Sequence, residues 1–587
     1  MFEVLMFILL STYTECNTLY KDQFDEKLLI KPLPSGHVYT HFEFIVQKEL
    51  ENNNVNSFQH FRLFPRSLGE IVSKYNVQEL HFSLTQGLWR YEKWGYPARS
   101  GPPGAELWAV FKGNVSEVPS NWQKLTNILS GQFCASLNFI DDTNTAIPKL
   151  SFRPEGAMPS DQLFNTSFIR YSALPPEIVC TENLTPFRKL LPCGAVAGLS
   201  TLLNALNIFN ANFVSLAVDV RTNCKEATCS NAALELVQSV SVVFDPPVVQ
   251  LGKQDWSFVK LFGSVLSNTC PVATNSKVFV DISSNQTGVP FVLNTEASEI
   301  IRENVGLGNE SSSKEETVFA VYDLKEIFKH SRHVNIGATY KGVHIYGMVL
   351  PPVLYADRKI SGYGQEQGGI RCTFFNSHVK PLKIIYFDTI PWYLRVYSHT
   401  LTVKNNDKSI KPDFFHYQPA QDRKRPHHLE LVLTLPPKSS TEMSVNFDFA
   451  FLKWTEYPPD ANHGFYAGSA VISTLLDSNR NISEFPVRKF VRQESGRFLR
   501  FHTQILLVSL PTPDFSMPYN VICLTCTVVA LAFGPIHNIT TKSLLPLDEN
   551  KDNTLVKKLK NRIKKWWKSK DDKQSPCVAE EDSKNSQ

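Results

Sequence analysis

Charged residues are missing from one long stretch near the end of the chain. No Asp, Glu, Lys or Arg lies between Asp514 and Lys542, and residues 521–533 are apolar apart from small Thr and Cys side chains. A helix needs about 20 such residues to cross the hydrocarbon core of a bilayer. We therefore predict one transmembrane helix over residues 519–539, with a buried core helix as the alternative.

The lumenal region predicted below also lacks net charge, because residues 542–587 carry the whole formal net charge of +4. A nucleic-acid-binding protein needs a basic face for the phosphates, so we expect no nucleic-acid partner. Disorder is excluded by composition, since hydrophobic residues make up 42% of the chain and can bury a core.

A recognisable catalytic constellation is missing as well. Hydrolysis or acyl transfer needs a nucleophile, a base and an oxyanion site. Cys134 could be considered a nucleophile, but its apolar, helix-like surroundings favour a buried or disulfide-bonded cysteine. The pair His427 and His428 lacks further ligands at metal spacing. We predict a non-catalytic chain without a cofactor or a metal site.

The charges that are present indicate a membrane orientation. Residues 551–570 contain nine Lys or Arg and one Asp, and such an excess beside a span marks its cytosolic side. Residues 4–10 form a short apolar run that resembles a secretory signal, although Glu3 precedes it and a short strand is the alternative. We predict a type I protein with a signal peptide over residues 1–16 and a cytosolic basic tail over residues 540–587.

Strand patterns outnumber helix patterns between these ends. We predict a mainly β fold with some helices, divided into a lumenal mixed α/β region over residues 17–235 and a lumenal β-sandwich over residues 236–518. Residues 37–46 alternate as a half-buried strand, and residues 429–435 and 443–452 predict a hairpin. The 40 Phe and 36 Pro suit sheets that pack face to face with proline-rich connections.

Three helices are predicted in the first half. Ser67 and Glu70 have the spacing of a capping box at the start of the first helix. Apolar residues at helical spacing over residues 122–129 mark the second, which we expect to end at Gly131. The third is expected over residues 198–209.

Cysteine numbers point to a covalent partner. Seven of the 11 cysteines lie in the predicted lumenal region, namely Cys134, Cys180, Cys193, Cys224, Cys229, Cys270 and Cys372. An odd number in a secreted chain indicates a bond to another chain or a free thiol. Cys224 and Cys229 are spaced to close a small disulfide loop; half of a zinc site is the alternative, without a further ligand nearby.

Glycosylation sequons support the same orientation. The sequons before the predicted span begin at Asn114, Asn165, Asn183, Asn285, Asn309 and Asn481. Each marks a surface loop of a secreted region. Pro186 follows the Asn183 sequon, so we predict glycosylation at the other five. The Asn538 sequon lies at the predicted cytosolic edge of the membrane and should stay unmodified.

Several motifs, in order from about residue 23 to residue 540, resemble the phosphatidylinositol glycan class T family, a subunit of the GPI transamidase. They include Phe133-Cys-Ala-Ser-Leu-Asn-Phe-Ile140, Val179-Cys-Thr-Glu-Asn-Leu-Thr-Pro186, His416-Tyr-Gln-Pro-Ala-Gln-Asp422, Asn462-His-Gly-Phe-Tyr466 and Leu510-Pro-Thr-Pro-Asp-Phe-Ser-Met-Pro-Tyr-Asn-Val-Ile-Cys-Leu-Thr-Cys526. The chain is similar to this family over most of its length, apart from roughly residues 285–340 and the tail.

The resemblance implies a role that the residues alone do not. The family acts in a complex of the endoplasmic reticulum membrane that replaces a C-terminal signal of a protein with a GPI lipid. A caspase-like subunit carries the catalytic dyad, and this family holds that subunit in the complex with the other membrane subunits. One lumenal cysteine of the family forms a disulfide with the caspase-like subunit, and the matching residue here is Cys180. A cell-surface adhesion or receptor ectodomain and a lumenal hydrolase are the alternatives.

Polar residues beside the predicted span are candidates for GPI contact. Asp514, Ser516 and Asn520 cluster at its lumenal edge. Polar side chains at that depth can bind sugar hydroxyls, and Asp514 can pair with an ethanolamine ammonium group. The alternative, which is compatible, is that they cap the first turn of the helix. Asn462 is a further candidate.

The basic tail contains one amphipathic segment. Leu555, Leu559, Ile563 and Trp566 fall on one helical face, with most of the Lys and Arg residues off it. Such a helix would lie along the cytosolic leaflet. A solvated tail that only fixes the orientation is the alternative.

Overall fold

The structure is a computed structural model of the 587-residue chain. It describes residues 22–49, 61–156, 165–224, 232–249, 253–283, 290–304, 316–342, 351–362, 367–458, 460–476, 482–486, 497–512, 514, 516–543 and 555–571. The chain forms two units, which divide between Thr512 and Pro513. The predicted signal peptide lies outside the described residues.

Fourteen strands are described before residue 341. They are β1 (Gln23–Pro32), β2 (Val38–Glu49), β3 (Val77–Gln86), β4 (Gly104–Phe111), β5 (Thr145–Ala146), β6 (Ile169–Leu174), β7 (Phe213–Cys224), β8 (Ala232–Phe244), β9 (Trp256–Ser257), β10 (Asn275–Asp281), β11 (Phe291–Leu293), β12 (Glu299–Asn304), β13 (Glu316–Asp323) and β14 (Gly337–Tyr340). Eleven of them form one sheet in the order β12-β13-β10-β1-β2-β8-β7-β3-β4-β6-β5. β11, β14 and β9 form a small separate sheet.

Period-two alternation explains why this large sheet is covered on both faces. Leu28 and Ile30 of β1 pack into one hydrophobic core, whereas Leu29 between them packs into another on the opposite face. β1 pairs with β2 in the antiparallel sense and with β10 in the parallel sense. The strand predicted over residues 37–46 is confirmed as part of β2.

Short helices accompany this sheet. They are α1 (Arg66–Lys74), α2 (Tyr91–Trp94), α3 (Val118–Phe133), α4 (Thr181–Lys189), α5 (Ala205–Phe209), α6 (Pro246–Val249), α7 (Phe258–Phe262) and α8 (Leu324–Ile327). α3 buries Trp122, Leu125 and Leu129 at helical spacing. These side chains share a core with Phe82 and Leu84 of β3, so the helix covers that face of the sheet.

Three details of the predicted helices were wrong. α1 follows Pro65 without a side-chain cap, so the capping box at Ser67 does not form. α3 continues past Gly131, and Cys134 ends it in the left-handed conformation at φ 53°. The third helix is interrupted, because Asn204 accepts a hydrogen bond from Leu206 N and restarts the helix as α5.

Twelve strands follow residue 353. They are β15 (Leu354–Ser361), β16 (Gln367–Asn376), β17 (Leu382–Ile390), β18 (Leu394–Asn405), β19 (Lys408–Ser409), β20 (Phe414–Gln418), β21 (His427–Leu435), β22 (Ser439–Phe449), β23 (Phe465–Ala467), β24 (Val471–Leu476), β25 (Arg497–His502) and β26 (Leu506–Val508). Two five-stranded sheets run in the orders β15-β16-β22-β18-β19 and β20-β21-β17-β24-β25, and β23 pairs with β26.

These two sheets form a β-sandwich that packs on the large sheet. Phe374 and Met443 of one sheet share a hydrophobic core with Leu431 and Ile472 of the other and with Leu29 of β1. The predicted mainly β fold with a sandwich is thereby confirmed. The boundary predicted between residues 235 and 236 falls within β8, and the large sheet continues to β13.

The hairpin predicted over residues 429–452 does not form, because its two strands lie in different sheets of the sandwich. β21 and β22 follow each other closely, but β21 pairs with β17 and β20, whereas β22 pairs with β16 and β18. The short connection therefore carries the chain from one sheet to the other. Leu431 of β21 and Met443 of β22 share one core, whereas Val445 and Phe447 of β22 pack into another.

The second unit contains α9 (Ser516–Thr541) and α10 (Leu555–Asp571). α9 has 26 residues, or about 39 Å at 1.5 Å per residue. It has a mean hydropathy of 1.8 and no buried residue. Of the described helices, it alone has the length and composition to cross a membrane. It contains the span predicted over residues 519–539.

Candidate functional site

Cys180 lies at the start of a helix, and its thiol forms no disulfide within this chain. Its backbone is extended, at φ −144° and ψ −177°, and α4 begins at the next residue. Cys180 N donates a hydrogen bond of 2.8 Å to Asn183 Oδ1. The thiol is partly exposed and forms no disulfide within this chain. The backbone of Cys180 is therefore fixed at the helix start, and its thiol is not used in a disulfide within this chain.

Asn183 connects this helix start to the end of α3. Its Nδ2 donates to Phe133 O at 3.0 Å and to Cys134 O at 2.9 Å. Ser136 N donates to Glu177 Oε1 at 2.8 Å, which joins the same two segments a second time. Because Asn183 is buried and its amide is engaged, the structure also disfavours glycosylation at this sequon.

Two large apolar side chains lie exposed on the joined segments. Phe139 is 70% exposed and Ile178 is 82% exposed. Phe139 lies three residues after Ser136 and Ile178 directly follows Glu177, the two residues that join the segments. Exposed apolar groups on neighbouring segments are typical of protein contact surfaces. We name the surface formed by residues 134–139 and 177–183 the Cys180 surface.

The other cysteines of the first unit differ from Cys180 in pairing or in exposure. Cys193 and Cys270 form a disulfide with Cα atoms 5.9 Å apart, which the sequence did not predict. Cys372 is fully buried, and burial raises the pKa of its thiol far above the ordinary value. Cys134 is exposed and unpaired, so the expectation that it is buried or disulfide-bonded was wrong. The Cys224–Cys229 pair stays a prediction, because Cys229 lies outside the described residues.

A buried charge cluster has the residue types of a catalytic site but the wrong environment. His81 Nδ1 lies 2.9 Å from Asp219 Oδ1, and the imidazole stacks on Trp108 with ring centroids 3.8 Å apart. Burial opposes a charge on His81, but Glu155, Asp219 and Glu79 outweigh it and raise the pKa of His81 to about 9. The raised pKa favours the protonated imidazole, which is a poor general base at neutral pH.

The polar residues at the start of α9 are arranged as a helix cap. Ser516 N donates a hydrogen bond of 2.9 Å to Asp514 Oδ1. Hydrogen bonds from Ser516 hold the pKa of Asp514 below its ordinary value, so this carboxyl group is ionised at neutral pH. Asn520 lies one turn after Ser516 and is exposed, as Ser516 is. The capping interpretation is confirmed for Asp514, whose carboxyl group is exposed to solvent.

Asn462 belongs to the first unit, whereas Asp514, Ser516 and Asn520 belong to the second. Asn462 is exposed, and its backbone N donates to Asp460 Oδ1 at 3.1 Å. The Phe465 that follows pairs with Val508 of β26, a few residues before the first unit ends. The Asn462 motif therefore packs beside the last strand before the candidate span.

Two predicted glycosylation sites are exposed. Asn114 Oδ1 accepts from Ser116 N, and Asn165 Oδ1 accepts from Ser167 N, so each side chain lies in a surface turn. Glycosylation at both stays a prediction. Asn285, Asn309 and Asn481 lie outside the described residues.

Comparison with known proteins identifies the family. The model of the Gpi16 subunit, a GPI transamidase component, matches residues 4–251 and 246–566. The chain belongs to the Gpi16 family. Both the Cys180 surface and α9 lie within the residues matched to Gpi16.

Relatives of the Gpi16 family cover nearly the whole chain. The human "GPI-anchor transamidase component PIGT" is 43% identical over 563 residues, which cover 93% of this chain and 94% of the human protein. The "GPI transamidase component GPI16" of Saccharomyces cerevisiae is 31% identical over 589 residues and covers 92% of each chain. The family resemblance inferred from the motifs is confirmed.

Proposed function

We propose that this chain is the non-catalytic subunit of a GPI transamidase that holds the caspase-like catalytic subunit in the complex. Family membership supports a place in that complex. The observation that carries the scaffold role is Cys180, a partly exposed, unpaired thiol beside the exposed apolar side chains of Phe139 and Ile178. An interchain disulfide at Cys180, flanked by apolar contact, would secure the catalytic subunit.

The proposed orientation follows from α9 and the charges around it. We place the first unit in the lumen of the endoplasmic reticulum, α9 across the membrane and the basic tail in the cytosol, by the positive-inside rule. The burial and the raised pKa of His81 argue against a general base in its cluster, in keeping with a non-catalytic chain. The partners are then the caspase-like subunit, the other membrane subunits and the GPI lipid.

The scaffold function is tested in cells that lack this chain. Restoring the tagged chain should bring back GPI attachment to a reporter protein, and the caspase-like subunit should co-purify with the tag. A chain that reaches the cell surface and co-purifies with none of the transamidase subunits would instead favour an adhesion or receptor ectodomain.

We also propose that Asp514, Ser516 and Asn520 contact the GPI lipid, with Asn462 as a further candidate. A GPI lipid presents its glycan and terminal amine just above the membrane while its acyl chains stay in the bilayer. Asp514 is ionised and exposed at the start of α9, so its carboxylate can pair with an ethanolamine ammonium group through a charge-assisted hydrogen bond.

Asp514→Asn separates the two roles of this residue. Asn is as good a helix cap as Asp but carries no charge. We expect normal assembly of the complex and roughly tenfold weaker use of GPI, the size expected for one lost charge-assisted hydrogen bond. Assembly is measured by co-purification, and GPI attachment by a reporter at limiting GPI supply.

Two further variants control this experiment. Asp514→Ala removes both the cap and the charge, whereas Asn538→Ala changes a polar residue at the other end of α9 and should leave attachment unchanged. Normal attachment with Asp514→Asn would remove Asp514 from the lipid site and leave it as a cap only. Asn520→Ala tests the sugar contact in the same way.

A further inference from the structure

α10 is a helix with an apolar side that no part of the described protein covers. Val556, Leu559 and Ile563 are large hydrophobic residues and all are exposed. Their spacing of three and four residues places them on one side of the helix. Every side chain of α10 that the structure describes is exposed. An apolar helix side of this kind is stable in water only if something else covers it.

The other sides of α10 are strongly basic. Eight of the 17 residues of α10 are Lys or Arg, and the single acidic residue is the last, Asp571. Lys560 and Lys564 lie a quarter turn or more from Leu559, as Lys558 and Lys565 do on the opposite flank. A partner for this helix must therefore accept an apolar stripe and offer negative charge on both sides of it.

The position of α10 in the chain decides which partner meets both conditions. Thirteen residues separate Thr541, the end of α9, from Leu555. Thirteen residues span at most roughly 50 Å, so α10 begins within that distance of the bilayer surface when α9 crosses the membrane. A tethered helix meets the adjacent leaflet at a high effective concentration, which lowers the cost of binding.

We propose that α10 lies along the membrane leaflet beside the C-terminal end of α9, with Leu559 and Ile563 in the boundary between headgroups and acyl chains and the Lys and Arg residues on anionic phospholipids. A basic helix with an apolar side binds anionic bilayers in this way. The proposal needs α9 to cross the membrane but does not depend on the transamidase role. It predicts that anionic lipid, rather than another protein, covers the apolar side of α10.

Amide hydrogen exchange of the full-length protein in lipid nanodiscs tests this placement. We expect peptides within residues 555–571 to exchange at least about tenfold more slowly in discs that contain 30% phosphatidylserine than in discs of phosphatidylcholine alone. High salt should reduce the difference, since it screens the charges. Peptides of α9 act as an internal reference and should exchange equally in both discs.

Matched variants assign the effect to the two sides of the helix. Leu559→Ser with Ile563→Ser should remove the protection, and Lys558→Gln, Lys560→Gln, Lys564→Gln and Lys565→Gln together should remove its dependence on phosphatidylserine. Asn561→Gln, on the polar side, should change neither. Fast exchange in both discs would show a solvated tail, and equal protection in both discs would show that the cover does not depend on anionic lipid; either result would overturn the proposal.

Discussion

Cys180→Ser is expected to remove the whole of the proposed covalent cross-link between this chain and the caspase-like subunit. Cys180 is partly exposed, unpaired and fixed at the start of α4 by its backbone hydrogen bond to Asn183. Serine keeps that backbone bond and the size of the side chain but cannot form a disulfide. The high-molecular-weight band on a non-reducing gel of the purified complex should disappear, with the amount of each subunit unchanged.

Cys134→Ser is the matched control for this experiment. Cys134 is an exposed, unpaired cysteine of the first unit, and Asn183 bonds to its carbonyl oxygen. The cross-link should survive Cys134→Ser, and it should survive Cys372→Ser because Cys372 is fully buried. A band that Cys134→Ser removed and Cys180→Ser retained would contradict the assignment and move the bond to the neighbouring thiol.

The subunits should still co-purify after Cys180→Ser. Apolar side chains of the Cys180 surface, such as Phe139 and Ile178, would keep a non-covalent contact. Ile178→Asp combined with Cys180→Ser is therefore expected to weaken co-purification more than either change alone. A complex that falls apart with Cys180→Ser alone would mean that the disulfide, and not the surrounding surface, holds the subunits.

Local sequence patterns predicted the strands of this fold better than they predicted which strands pair with each other. The alternation over residues 37–46 predicted β2 correctly, because alternate side chains of this strand pack into one hydrophobic core. The same alternation in β21 and β22 predicted a hairpin that does not form. A short connection between two sandwich sheets has the same local pattern as a turn between paired strands, so only long-range packing distinguishes them.

Contacts between distant residues were beyond any local pattern. Cys193 and Cys270 are 77 residues apart, and neither has a neighbour that marks it as bonded. Cys134 was expected to be buried because its neighbours are apolar, yet it ends α3 with a positive φ that turns it towards the surface. Cys180 was assigned by family resemblance, and only the structure showed why it is exposed.

A buried ion pair in the sandwich is another feature that the sequence could not reveal. Arg358 of β15 donates from Nη2 to both carboxylate oxygens of Asp388 in β17, at 3.0 and 2.8 Å. Arg358 Nη1 donates to Gly468 O, and the Tyr386 hydroxyl donates to Asp388 Oδ2 at 2.9 Å. The two strands belong to opposite sheets, so the pair joins the sandwich through its core.

Arg358→Met is expected to destabilise the fold by about 3–5 kcal/mol. Methionine fills much of the space but leaves the Asp388 carboxylate buried without its cationic partner. Burial already raises the pKa of Asp388, against the opposing effects of Arg358 and Tyr386, so losing Arg358 raises it further. The apparent unfolding temperature of the full-length protein in detergent should fall by at least about 6 °C, at roughly 2–4 °C per kcal/mol for domains of this size.

Arg371→Met is the control, because Arg371 forms a half-exposed ion pair with Glu442 on the same sandwich, at 3.3 Å. An exposed pair contributes about 0–1 kcal/mol, so the unfolding temperature should change by less than about 4 °C.

The variant Arg358→Met with Asp388→Asn completes the comparison. Asparagine keeps an acceptor for the Tyr386 hydroxyl and removes the unpaired charge, so the pair of changes should recover most of the loss caused by Arg358→Met. If the double variant is as unstable as Arg358→Met alone, the unpaired carboxylate is not the cause of the instability. The cause would then be the lost packing of Arg358 and its lost hydrogen bond to Gly468 O. If Arg358→Met matches Arg371→Met, the buried pair does not hold the two sheets together.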